Sequence, residues 1–355
     1  MMNLDDLSTY KRIDKSDMLG QIDSLPDQLA AAWDHGHSLE LPEWTDIERV
    51  VIAGMGGSAI GADLLSSYIA PICRIPVQVH RDYLLPGWAA GSRTLVICSS
   101  HSGNTEETLS AFQQAQENRC RCLVVSTGGN LAELAASSGL PFWQFEHDGQ
   151  PRAAVGFSFG LLLAVFARLG LIPDPADELG AAVNGMRRQQ EVLDVQVPVA
   201  ENPAKRLAGQ MVDRWVTVVG SGILAPVARR WKGQISEIAK AWAQFEFLPE
   251  LDHNTLAGVE NPQQMLSNQL VLFLRSTTNH QRNALRSDLT RNIFMLQGLG
   301  TDYIDAAGET RMEQQWTCLH FGDYTAYYLA MVYGVDPTPV DAIEGLKREL
   351  KAARD

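Results

Sequence analysis

The sequence predicts an α/β protein built from two tandem, doubly wound parallel sheets, with helices at the N-terminus and a tail helix at the C-terminus. Three observations predict it. Short apolar runs alternate with helical patterns along most of the chain. A strand, glycine turn and helix at "VIAGMGGSAIGADLL" (51–65) return as "WVTVVGSGILAPVARRWKGQISEIAK" (215–240), weak in identity but strong in pattern. And 355 residues suit two domains of ordinary size better than one core.

The elements follow in order. "SDMLGQIDSLPDQLAAAWDHG" reads as a helical pair with Ser16 as N-cap and Leu29, Ala30 and Trp33 on one stripe. "RVVIAGM" is a buried strand and "SAIGADLLSSYI" a helix. "IPVQVHRDY" and "RTLVICSS" are strands, the second leading into a helix that starts near Asn104. "RCLVVST" and "LPFWQF" are strands around the helix "NLAELAASS", and "AAVGFSFGLLLAVFARLG" is a long apolar helix. In the second round "QFEFLPELD", "NQLVLFLRS" and "TDYIDA" are strands separated by helices at 280–298 and 311–333, and "PVDAIEGLKRELKAA" closes the chain. The expected units are an N-terminal helical segment (1–45), a first α/β domain (46–172), a helical linker (173–210), a second α/β domain (211–335) and a C-terminal helix (336–355).

Bulk composition excludes several functions. A net charge of −13 argues against a nucleic-acid binder, which would show a basic face. The polar, acidic N-terminus is not a signal peptide, and no apolar run is long enough to span a bilayer. The five cysteines, Cys73, Cys98, Cys120, Cys122 and Cys318, have no metal-ligand spacing and suit thiols in a reducing cytosol. Cytoplasm is the expected compartment.

The first glycine turn raises the question of its phosphate. Gly54-x-Gly56-x-x-Ala59 nearly matches a dinucleotide fingerprint, which would suggest a NAD-dependent dehydrogenase. That reading needs an acidic residue near the end of the second strand, where Arg81 precedes Asp82, so the test is ambiguous. The third strand says more. "VICSSHSGNTEETL" enters a helix through Ser99, Ser100, Ser102, Gly103, Asn104 and Thr105. Hydroxyls and free amides at a helix N-terminus suit one dianionic phosphate, whereas Glu106 and Glu107 would crowd a larger polyanion. A plain Ser/Thr cap is the simpler explanation, but the run is denser than capping needs.

"GMGGSAIGADLL" with "SSHSGNTEETL" resembles a sugar isomerase (SIS) domain. More narrowly, "QPRAAVGFSFG", "WKGQISEIAKAWAQFEFLPELDHN" and "TPVDAIEGLK" resemble the bifunctional phosphoglucose/phosphomannose isomerase family, as does "DMLGQIDSLPDQLAAAW" at the N-terminus. The resemblance covers nearly the whole chain, in order. It implies two SIS domains, a sugar 6-phosphate substrate held by Gly56, Gly57, Ser58, Ser100, Ser102 and Thr105, no cofactor, and a homodimer.

Isomerising an aldose phosphate requires opening the ring, moving a proton between C2 and C1, and stabilising an enediolate. One carboxylate can move the proton, a group poised near neutral pH can open the ring, and a fixed Arg can meet the oxyanion. No metal is needed, and no metal-ligand constellation is visible. The resemblance assigns the base to Glu237, in "WKGQISEIAK" with Lys232 and Lys240; the family usually has Asn next, where this chain has Ile238. The plain alternative is an exposed helix carboxylate paired with Lys240 or Arg230. His253, in "PELDHN", is by resemblance the ring-opening group, contributed across the dimer interface. A lone loop His is more often structural, and His101, His280 and His320 compete. Arg152, in "QPRAA", is the enediolate partner, against the alternative of an ordinary helix-start Arg. Lys347, in "IEGLK", would reach the sugar; its alternative is a solvated cationic helix end. Thr338 is a candidate for giving the room that two C2 epimers need. A sugar-phosphate-sensing SIS regulator without catalysis is the other class considered, but residues 1–45 are too short and acidic for a DNA-binding domain.

Overall fold

The computed structural model describes residues 2–353. Three N-terminal helices, α1 (Leu7–Ile13), α2 (Met18–Asp23) and α3 (Leu25–Ser38), precede the first sheet. That sheet contains β1 (Arg49–Ala53), β2 (Val77–His80), β3 (Thr94–Ser99), β4 (Arg121–Ser126) and β5 (Phe142–Gln144), interleaved with α4 (Gly56–Ile69), α5 (Glu106–Glu117) and α6 (Gly129–Ser137). A 3₁₀ turn, Pro151–Ala153, leads into α7 (Val155–Arg168), and α8 (Ala176–Leu193) and α9 (Pro203–Met211) cross to the second half. There β6 (Trp215–Ser221), α10 (Ala225–Glu237), β7 (Ala243–Leu248), α11 (Gln263–Leu266), β8 (Gln269–Arg275), α12 (Gln281–Leu296) and β9 (Gly300–Asp305) form the second unit. Two helices follow, α13 (Arg311–Tyr333) and α14 (Asp341–Ala352).

Both sheets are parallel and wound the same way, in the orders β2-β1-β3-β4-β5 and β7-β6-β8-β9. The registers correspond: Ile52 lies beside Ile97 across β1 and β3, and Val218 beside Leu272 across β6 and β8. The central strands β3 and β6 are buried on both faces because helices cover both, as parallel crossovers require. α7 is buried almost all round, from Val155 to Phe166, which explains its near absence of polar residues. α13 is buried along nearly its whole length and packs on α8, α9 and α10. One continuous core joins the inner faces of both sheets through these helices, so the two units are held as one body.

One expected cap moves, and the helix expected near Asn104 is found there. Asp17, not Ser16, caps α2 by accepting from Gly20 N, while the Asp14 carboxylate accepts from Met18 N and Leu19 N at 2.8 and 3.0 Å. The acidic side chains take the orphan amides and leave none for the Ser16 hydroxyl. α5 starts at Glu106, two residues after Asn104, because Ser102, Gly103 and Asn104 form a turn with Gly103 at φ +66°. A Cβ on Gly103 would run into the Gly128 carbonyl, so glycine is required there twice over.

α14 has no buried residue, and its Ile343, Leu346 and Leu350 are exposed. All five cysteines are free thiols. Among the described residues no helix is long and apolar enough to cross a membrane.

Candidate active site

In the first sheet the winding reverses between β1 and β3, and the crevice at their carboxyl ends is where such sheets hold ligands. Two glycine-containing segments border it. Gly56, at φ +50°, opens α4, and Gly57 lies directly under the 3₁₀ turn: a Cβ there would come 2.5 Å from the Pro151 carbonyl oxygen. Opposite stands the loop after β3. Ser100 and Thr105 share a hydroxyl hydrogen bond of 2.9 Å, Gly103 N donates to Ser100 Oγ at 3.2 Å, and Asn104 N donates to Ser102 Oγ at 3.2 Å. Ser58 is buried and ties the segments together by accepting from His101 N at 3.2 Å. The six residues expected to hold a phosphate thus lie on the first turn of α4 and the adjoining loop after β3, at one crevice.

The 3₁₀ turn on Gly57 carries Arg152, which is 4% exposed. Its guanidinium donates to the carbonyls of Pro337 and Thr338 at 2.8 and 2.6 Å, and its Nη1 lies 3.8 Å from Glu237 Oε2. Its Nε is buried without a hydrogen-bond partner among the described residues. Burial lowers the Arg152 pKa, the Glu237 carboxylate raises it, and the Arg230 charge lowers it further. Glu237 is the last residue of α10, one-third exposed, and faces Arg152 rather than the partners an isolated helix carboxylate would choose. Arg230 is occupied by Asp323, and Lys240 Nζ bonds the Glu237 backbone carbonyl, not its carboxylate. Desolvation, then the Arg152 charge, lowers the Lys240 pKa; Asp336, Glu237 and Asp341 oppose them. Ile238, which follows Glu237, is fully buried and serves the core.

His253 and Lys347 are not brought to this pair within the chain. His253 ends a 3₁₀ turn after β7 and is exposed; Lys347 lies on the exposed α14. The competing histidines have structural bonds. His280 caps α12 by accepting from Arg282 N at 3.1 Å, and His320 is fully buried with Nε2 3.0 Å from the Ile22 carbonyl. His101 bonds His147. No group of three or more His, Cys, Asp or Glu side chains among the described residues is arranged to hold a metal ion.

In the second sheet the loop after β8 is bonded to α13. The buried Gln314, on α13, accepts from Ser276 Oγ and Thr277 N at 2.6 and 3.0 Å, and donates to Thr277 Oγ1 and the Gly308 carbonyl. Asn279 Nδ2 donates to Ser221 Oγ at 2.8 Å. Ser276 and Thr277 after β8 are thereby tied to α13. Sequence reasoning missed these Gln314 bonds, as it missed the Arg152 bonds to Pro337 and Thr338 and the Arg230–Asp323 pair. Apart from Gly308 and Gln314, six residues apart, the partners are 37 to 186 residues apart, and no local signal links them.

Comparison with known proteins agrees with this architecture. Residues 200–350 match the model of the bacterial phospho-glucose isomerase C-terminal SIS domain. Two solved structures from Thermus thermophilus share the fold: a hypothetical protein (TM-score 0.74, 18% identity, 99% of this chain and 93% of that one) and a glucose-6-phosphate isomerase like protein (TM-score 0.65, 19% identity, 96% and 99%). The bifunctional phosphoglucose/phosphomannose isomerase of Aquifex aeolicus is 33% identical, covering 87% of this chain and 94% of its own. That of Caldicellulosiruptor bescii is 39% identical, covering 95% of this chain and all of its own. With that identity along nearly its full length, and with two sheets wound as SIS domains are, the chain belongs to the bifunctional phosphoglucose/phosphomannose isomerase family.

Proposed function

We propose that this chain is an aldose–ketose isomerase that interconverts glucose 6-phosphate and mannose 6-phosphate with fructose 6-phosphate through an enediolate, without a metal, in the cytoplasm. The observation that carries the reading is the 3.8 Å approach of Glu237 Oε2 to Nη1 of a buried arginine with a spare donor. A carboxylate held against a fixed cation is what enediolate chemistry needs: one group to move the proton, another to meet the oxyanion.

In this mechanism the phosphate rests on Ser100, Ser102 and Thr105 and on the amides of Gly56, Gly57 and Ser58 at the start of α4. His253 of the partner subunit opens the ring; its exposure and lack of contact with Glu237 in one chain fit a residue that works across an interface. Glu237 then takes the C2 proton and returns it at C1, while Arg152 neutralises the developing enediolate oxygen. Lys347 approaches the sugar from α14. Deprotonation makes C2 planar, so both epimers pass through one enediolate. The names of the two relatives support both substrates. A coupled assay with the three hexose 6-phosphates in EDTA tests the proposal. Turnover of both aldoses is expected; activity lost in chelator and restored by zinc would defeat the metal-free mechanism.

A further inference from the structure

The phosphate loop and the segment leading to Arg152 are joined by a bond between two imidazoles. His101 Nε2 lies 3.0 Å from His147 Nδ1, with the rings nearly perpendicular. His101 is the middle residue of Ser100-His101-Ser102, and its backbone is pinned on both sides: the N–H donates to Ser58 Oγ, and the carbonyl accepts from Thr127 N and Oγ1. His147 lies five residues before Arg152, on a stretch held by Gln150 N donating to Gln21 Oε1 at 2.9 Å. Phe145 and Phe157 stack on each other beside the pair, with Phe145 edge-on to His101 and Phe157 edge-on to His147.

We propose that the His101–His147 bond is a positioning strap, setting the span between the phosphate cradle and the Arg152 guanidinium. The inference rests on the reading of those two features as opposite ends of one substrate site. A hexose phosphate anchored at its phosphate reacts at C1 and C2, at the other end of the molecule. Any error in the span appears at the reacting carbons, where a shift of about 1 Å can cost on the order of 100-fold in rate. A bond between rings needs one donor and one acceptor. Burial pushes His101 down to about 4, assisted by His147, and burial also lowers His147, while the Asp148 carboxylate opposes it. The rings are therefore neutral at pH 7 and one donates to the other; two imidazolium rings could not share the contact.

Phenylalanine keeps the ring volume beside Phe145 and Phe157 but removes the bond. In the full chain, His101→Phe and His147→Phe should each lower kcat for fructose 6-phosphate by about 10-fold or more while KM changes by less than about threefold. The double variant should be no worse than either single one, because both remove the same bond. His101→Gln, whose amide can put a donor near the place of Nε2, should recover most of the loss; it and His147→Phe keep the test usable if His101→Phe does not fold. Wild-type kcat in the folded single variants, or losses that multiply in the double variant, would overturn the strap. Lack of turnover in the wild type would defeat the proposed function instead, so the two failures are distinguishable.

Discussion

Arg230 and Asp323 form a bidentate pair in the core between α10 and α13, with Nε–Oδ1 at 3.1 Å, Nη2–Oδ2 at 2.7 Å and both side chains about 3% exposed. The remaining terminal nitrogen, Nη1, donates to the Arg152 carbonyl at 2.6 Å. The pair therefore reaches from the second unit to the backbone of a proposed catalytic residue in the first.

Asp323→Asn keeps the shape but leaves the Arg230 charge without its counter-ion. Stranding a buried charge costs about 3–5 kcal/mol, and urea denaturation should register a loss of that order. Turnover should fall as well, measured at a temperature where the variant is folded. A variant as stable as wild type would mean that the pair carries no net stabilisation.

Glu237→Gln removes the proton acceptor while retaining size. Turnover should drop by at least ~100-fold, with the enediolate mimic 5-phosphoarabinonate still bound, since a general base contributes about 10²–10⁴. Kinetics near wild type would remove Glu237 from the mechanism.

Stability should decline in acid through His320. Burial lowers it to about 4, with Asp323 and the Ile22 carbonyl opposing. A group with a depressed cationic pKa binds fewer protons folded than unfolded, so stability is full above the unfolded pKa of about 6.5 and falls as pH drops toward 4. Its share of the loss by pH 4 is about 3 kcal/mol. His101 and His147 shift in the same direction and add to the decline. Denaturation midpoints at pH 7 and pH 4.5 check this; His320→Gln should flatten the difference, and an unchanged slope would contradict the assignment.

A shared active site predicts complementation. Homodimers of Glu237→Gln and of His253→Ala should each be nearly inactive. In a mixed dimer one site receives both lesions and the other neither. Unfolding and refolding an equal mixture makes roughly half the dimers mixed, so about a quarter of wild-type activity should return. No recovery, with subunit exchange confirmed by native mass spectrometry, would refute the shared site.

The sequence by itself determined the winding of both sheets, because strand, glycine turn and helix are local patterns whose periods survive in one dimension. α13 was legible to its end residues, from Arg311 to Tyr333. The cap at Asp17 was less legible, since the choice between neighbouring caps depends on which side chain reaches an amide. The tertiary structure alone decided which polar groups meet. Whether Glu237 faces Lys240, Arg230 or Arg152 is settled by α13, whose Asp323 occupies Arg230, and by the Pro337–Thr338 turn, whose carbonyls hold Arg152. The same helix ties Gln314 to the loop after β8, so two similar strand–turn–helix patterns end in different hydrogen-bond networks. Each of these outcomes depends on a buried hydrogen bond between residues far apart in sequence, and a buried donor is satisfied by whatever packing brings to it.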